Sequence, residues 1–159
     1  YHTRDLYAPG DGGWLTVDRG VHAPLGSARL QRQTDHPDLT VVTFGNGVPM
    51  SLRVAGRLAD QGVGVDVLDL RWLAPLPVRD LLESARQTGR VLVVDETRHS
   101  GGVGAGVLAA LVEGGFDGPM ARVCSQDSFI PLGAAAQHVL LNSDDIEKAA
   151  MTLAGKGRR

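Results

Sequence analysis

Asp95, Glu96 and His99 fall within five residues of one another, directly ahead of a glycine-rich run, Gly101-Gly-Val-Gly-Ala-Gly106. Two carboxylates and an imidazole at that spacing have the groups for acid–base chemistry. Glycines that open a helix have the shape for a phosphate cradle. The spacing argues against the second. Gly104-x-Gly106-x-x-Ala109 fits the relaxed dinucleotide fingerprint, yet nine residues separate Val94 from Gly104, whereas the fingerprint follows its strand at once. Asp95 and Glu96 occupy that gap and would repel a pyrophosphate. A tight turn with small residues, letting a helix pack close on a sheet, accounts better for the glycines. His99 reads as a solvated loop histidine.

Other candidates add little. Asp127, in Cys124-Ser-Gln-Asp-Ser128, stands just past a strand-like run and either caps a turn or lines the same edge. His2, His22, His36, His99 and His138 show no metal-ligand spacing, and no Gly-x-Ser-x-Gly occurs. Gly10-Asp11-Gly12 has the first letters of a metal–diphosphate motif, but no asparagine precedes Asn46 to complete it. Cys124 lies among apolar residues and reads as a buried, inert thiol. What remains is an acidic, glycine-bordered edge made of Asp95, Glu96, His99, Gly101, Gly102 and Asp127. It holds no complete catalytic set and no ligands for a metal or cofactor.

The elements that position this edge follow from periodicity. Ser27–Arg32 alternates and suggests a half-buried edge strand, turned by Thr34–Asp38 into the apolar run Leu39–Phe44, with which it should pair antiparallel. After Gly45-Asn-Gly47, a helix should bury Val48, Leu52, Ala55 and Ala59. Val65–Leu70 is a second apolar strand. Val78, Leu81, Leu82 and Ala85 mark the next helix, stopped by Gly89. Val91–Val94 is a strand ending at Asp95 and Glu96, followed by a helix presenting Val103, Val107, Leu108, Leu111 and Val112. Met120–Cys124 is the next strand, and a short helix should run from Pro131 to Val139. A last helix, capped by Asn142 or Ser143, should bury Ile146, Ala149, Ala150 and Leu153. Short apolar strands alternating with amphipathic helices give a three-layer α/β/α sandwich, its sheet mostly parallel with an antiparallel edge strand.

Three segments emerge: 1–26 as a linker or strap pinned by Trp14, Leu15 and Val17, 27–155 as the domain, and 156–159 as a frayed tail. A length of 159 residues suffices for one core. A net charge of −2 gives no case for nucleic acid or an anionic membrane. No apolar run approaches the ~20 residues that span a bilayer and no signal peptide is visible. The lone cysteine excludes an internal disulfide and points to the cytoplasm. The first methionine is Met50, so the chain is expected to be a piece of a longer protein.

A series of words in order carries a resemblance: Val41-Val-Thr-Phe-Gly-Asn-Gly47, Val67-Leu-Asp-Leu-Arg71, Leu73-Ala-Pro-Leu76, Ser84-Ala-Arg-Gln-Thr-Gly-Arg90, Val93-Val-Asp-Glu96, Ser100-Gly-Gly-Val-Gly-Ala105 and Ala121-Arg-Val-Cys-Ser-Gln-Asp127. From about Pro24 to Leu153 the chain resembles the C-terminal domain of the transketolase family, above all the β-subunit (E1β) of thiamine diphosphate-dependent 2-oxo acid dehydrogenases. The resemblance implies a parent that decarboxylates a 2-oxo acid and passes the acyl group to a lipoyl arm. Thiamine diphosphate and Mg²⁺ would sit in domains outside this chain, which itself would bind no cofactor and carry no catalytic residue. It further implies partners: the cofactor-binding domains, a homo-oligomer or α2β2-type assembly joined through helix faces around Val103–Val112, and the acyltransferase core (E2). A transketolase or a deoxyxylulose phosphate synthase is the alternative parent. A stand-alone nucleotide-binding module using Gly104 and Gly106 is a third reading.

Overall fold

The computed structural model describes residues 24–155. Most of the expected strap, including the Gly10-Asp11-Gly12 motif and Trp14, Leu15 and Val17, lies outside the described residues. So do His2, His22 and the tail 156–159.

The element order is β1 (Arg29–Arg32), β2 (Leu39–Thr43), α1 (Gly47–Asp60), β3 (Val65–Asp69), α2 (Val78–Thr88), β4 (Val91–Arg98), α3 (Val103–Glu113), β5 (Met120–Ser125), a 3₁₀ turn (Gly133–His138) and α4 (Ser143–Leu153). One sheet runs β1-β3-β2-β4-β5. Its inner neighbours are parallel and β1 is antiparallel. The strand period of two divides the core. Val41, Leu92 and Val94 join Val54 and Leu58 of α1 and Ile146 of α4 on one face. Val42, Val91 and Val93 join Leu81 of α2 with Val107 and Leu111 of α3 on the other. Residues 39–43 are all buried, which is why this strand shows no apolar–polar alternation; the Thr40 and Thr43 hydroxyls bond the Ser84 and Val94 carbonyls.

The edge pairing differs from expectation. β1 pairs with β3, not with β2: Arg29 faces Asp69 and Leu30 faces Leu68. Both sides of β2 are taken by β3 and β4, so the link after β1 crosses over the start of β3. Two carboxylates hold the crossing. Asp66 Oδ1 accepts from the Thr34 N–H at 2.7 Å, and Asp38 Oδ2 accepts from the Gly64 N–H at 2.9 Å.

Helix faces show where pattern reading erred. α1 buries Gly47, Met50, Ser51, Val54, Ala55 and Leu58, a stripe turned away from the expected Val48, Leu52, Ala55 and Ala59; Ala59 is exposed. Of the apolar residues that mark α2 and α3, Val78 and Val112 are exposed. The segment after Pro131 is a 3₁₀ turn without a buried residue. Two terminal signals match: Gly89 ends α2 at φ 71°, and the Asn142 side chain accepts the Asp145 N–H at 2.9 Å to cap α4. Across the molecule, Arg57 Nη2 on α1 lies 2.7 Å from Glu147 Oε2 on α4. Hydrogen bonds from Arg57 and Gln61 hold the Glu147 carboxyl below its usual range.

Candidate functional site

The strands β2, β4 and β5 end on one side of the sheet, where open parallel sheets place their ligands. β4 does not stop at Asp95. It runs on to Arg98, with an irregularity between Asp95 and Arg98 that breaks its register with β5. Asp95 is fully buried. Its Oδ1 accepts the Thr97 N–H at 2.8 Å and its Oδ2 accepts the Gly104 N–H at 2.6 Å. Gly104 is the second residue of α3, a position whose N–H has no partner inside the helix. Its own N-cap, Gly102, has no side chain to offer. Asp95 therefore caps α3 from the neighbouring strand.

That cap dictates the glycines. A Cβ on Gly102 would stand 2.6 Å from the Arg98 carbonyl oxygen and 2.8 Å from Asp95 Oδ2; one on Gly104 would stand 3.0 Å from Asp95 Oδ2. Gly101 has φ 71°, a left-handed turn that suits glycine. The space a phosphate would need beside the helix start is filled by the Asp95 carboxylate. The glycine run is thus an intramolecular turn, and the nucleotide-binding reading loses its footing. Asp95, having no accessible surface, belongs to the scaffold of the edge and not to its contact surface.

The other expected edge residues form a separate outer group. Asp127 accepts hydrogen bonds from the Ser100 N–H at 2.8 Å and from Ser100 Oγ. These bonds hold its carboxyl below the ordinary aspartate value. With Arg98, Gly101 and Phe129 the pair lines an open cavity of about 590 Å³. His99 is exposed beside it. Glu96 turns to the other side and lines a second cavity of about 500 Å³.

Among the described residues, no three histidine, cysteine or acidic side chains gather as metal ligands. Cys124 is partly buried. Burial pushes its thiol up, against the opposing pull of Arg122, so less of it is thiolate and its nucleophilicity is low. The Ser100 hydroxyl donates its hydrogen bond to the Asp127 carboxylate, and no described histidine or lysine stands in hydrogen-bond reach to act as its base. The described residues do not fit thiamine diphosphate and its metal either. The candidate carboxylate and the helix N–H are bonded to each other.

Sequence reasoning passed over the most exposed feature of this edge. Phe129 is 98% and Leu132 96% exposed, with Ile130 and Leu73 also open to solvent. The signal was there: Phe129-Ile-Pro-Leu132 is an apolar run in a segment too short and proline-broken to be a core element.

The fold defines the class first. This is a doubly wound, five-stranded α/β/α domain with an antiparallel edge strand, its glycine turn closed by its own carboxylate. Within that class the chain belongs to the family described as transketolase, C-terminal domain, which matches residues 26–146. It is 35% identical over 133 residues to the pyruvate dehydrogenase E1 component subunit beta of Staphylococcus aureus strain N315, covering 81% of this chain and 40% of that protein. The corresponding subunit of Staphylococcus epidermidis strain ATCC 12228 is 36% identical over the same span. The chain therefore spans about 40% of the length of these relatives. A solved split-gene transketolase, an inactive beta4 tetramer, superposes with a TM-score of 0.77 at 26% identity, over 89% of this chain and 46% of that one. A transketolase from Pichia stipitis shares the fold at TM-score 0.54 and 14% identity, covering 82% of this chain and 18% of its own. No described helix is long and apolar enough to cross a membrane.

Proposed function

We propose that residues 27–155 are the C-terminal assembly domain of a cytoplasmic, thiamine diphosphate-dependent 2-oxo acid dehydrogenase E1 component of the β type. The parent decarboxylates a 2-oxo acid and delivers the acyl group to a lipoyl carrier, with residues 1–26 leading in from the preceding domain. Cofactor and catalytic groups belong to domains outside this chain.

The observation that carries this reading is the apolar rim at the strand ends. Burying a side chain of the size of phenylalanine or leucine is worth ~1.5–3 kcal/mol, and here two such side chains stand almost wholly in solvent. Phe129 shares a cavity with Gly101 and Asp127 and Ile130 one with Glu96, and together with His99 and Gly102 these polar residues form the border of the contact. α3 supplies a second face. From Val103 to Val112 it has no polar side chain, yet Ala105, Gly106, Ala109 and Val112 point outward. A helix face of that kind suits a homo-oligomer or an α2β2-type assembly, and the split-gene transketolase relative is named as a tetramer.

Introducing Phe129→Asp together with Leu132→Asp into the parent should shift it to smaller species in light scattering. The same pair should change the unfolding free energy of this chain by no more than about 0.5 kcal/mol, as exposed substitutions do. An unchanged assembly mass would count against the reading. Titration of this chain with thiamine diphosphate and Mg²⁺ in a calorimeter should give no binding heat, and micromolar affinity would overturn the placement of the cofactor elsewhere. A transketolase parent is the second reading, favoured by the 26% identity to the split-gene enzyme. It calls for two-carbon transfer between sugar phosphates without a lipoyl acceptor.

A further inference from the structure

The ends of β2, β4 and β5 enclose the cavity of about 500 Å³ that Glu96 lines. Phe44, Met50, Leu73, Val103, Ile130 and Leu141 supply its apolar wall, and Asn46, Thr97 and Ser125 line the rest. Glu96 is partly buried among them, its Oε1 2.7 Å from where a Cβ on Gly45 would stand. It thus leans on the turn that opens α1, but α1 makes no use of it. The Gly47 N–H donates to the Phe44 carbonyl at 3.0 Å and the Val48 N–H to the Gly45 carbonyl at 3.2 Å. Among the described residues, nothing donates a hydrogen bond to the Glu96 carboxylate or forms an ion pair with it; the bond from Ser125 Oγ goes to its backbone carbonyl. Thr97, on the same wall, buries an Oγ1 without a hydrogen-bond partner.

Glu96 thus presents a partly buried carboxylate among apolar groups, and no described residue pairs with it. Its complement is a cation on an apolar stem, the chemistry of an arginine or lysine side chain. Resting on the reading of this edge as an assembly contact, we propose that the cavity is a socket for one basic side chain of the polypeptide that covers the edge. The stem lies against Met50, Leu73 and Ile130, and the cation meets Glu96. The volume leaves room for the apolar residues that flank the incoming side chain.

The probe is n-butylguanidinium, an arginine side chain without its backbone, titrated into this chain by NMR. Its neutral counterpart is n-butylurea. Saturable shifts are expected at the backbone amides of Asn46, Thr97, Val103 and Leu141. Guanidinium should bind about fivefold tighter than urea, the scale of a half-exposed ion pair. Glu96→Gln should reduce guanidinium to the level of urea and leave urea unchanged. Equal binding of the two probes, absence of saturation, or shifts confined to other acidic surfaces would overturn the proposal. The edge reading fails on a separate readout. If the Phe129 and Leu132 variants leave the parent's assembly intact while guanidinium binds as expected, the contact is wrong and the cation site stands. If assembly is lost and guanidinium does not bind, the contact stands and the socket falls.

Discussion

Replacing Asp95 with alanine is expected to lower the unfolding free energy of this chain by about 3–5 kcal/mol, the order of leaving two buried N–H groups without their carboxylate acceptor. Urea titration followed by circular dichroism measures it, and an unchanged slope would show that the folded state keeps its compactness. The effect is large because nothing can take over. The Gly104 N–H belongs to the first turn of α3 and has no carbonyl four residues back. Asp95 has no accessible surface, so its bonds are made away from solvent. Asp95→Asn refines the test. It keeps the shape and one accepting oxygen, but turns an NH₂ toward one of the two N–H donors. It should cost about half as much as alanine. If alanine costs less than about 1 kcal/mol, Asp95 is not the cap of α3. The acidic residue that looks most like a catalytic group in the sequence is then explained neither as chemistry nor as scaffold.

Asp95 also marks the limit of what the sequence discloses. Its position after an apolar strand was legible, and so was the poor fit of the glycine run to a nucleotide site. Its partner was not. The bond to Gly104 depends on β4 running three residues past Asp95 with an irregularity, which no local pattern encodes. The strands and helices were legible because both faces of the sheet are covered, giving short apolar runs between periodic segments. The face of α1 was misread because two of its buried positions are Gly47 and Ser51, residue types that carry no hydrophobic signal. Gly47 is buried for lack of room: a Cβ there would collide with Thr43 Oγ1. Phe129, Ile130 and Leu132 were passed over because charge, not apolarity, guided the reading of the edge. Glu96 and Asp95 are neighbours in sequence, yet strand alternation sends one to a cavity and the other to the helix cap.

Gly64→Ala is expected to cost about 2–3 kcal/mol, the upper part of the range for forcing a methyl into closed space. Gly106→Ala should be neutral or stabilising by up to about 1 kcal/mol, as alanine outranks glycine within a helix. The contrast isolates packing from backbone preference, since Gly106 has nothing nearer than Leu76 Cδ1 at 3.9 Å from an added Cβ. At Gly64 the same atom would lie 2.2 Å from the His36 carbonyl oxygen and 3.2 Å from Pro37 Cα. These are backbone atoms of the link from β1 to β2, and they cannot turn aside as a side chain can. The link is held down on both flanks. The Asp38 N–H donates to the Gly64 carbonyl at 2.7 Å, and Thr34 donates to Asp66 through both its N–H and its hydroxyl. Lifting it by an ångström or more breaks these bonds and leaves Asp66, which is 1% exposed, without its partners. The damage should be local. Hydrogen exchange is expected to accelerate in β1 and in residues 33–38 first, because among the described residues β1 has β3 as its only strand neighbour. β2, clasped between β3 and β4, should stay protected until global unfolding. Equal loss in β1 and β2 would instead fit a hairpin joining those two strands, the pairing that alternation and a short turn suggest. Gly64 is thus where a crossover and a hairpin predict different outcomes from one methyl group.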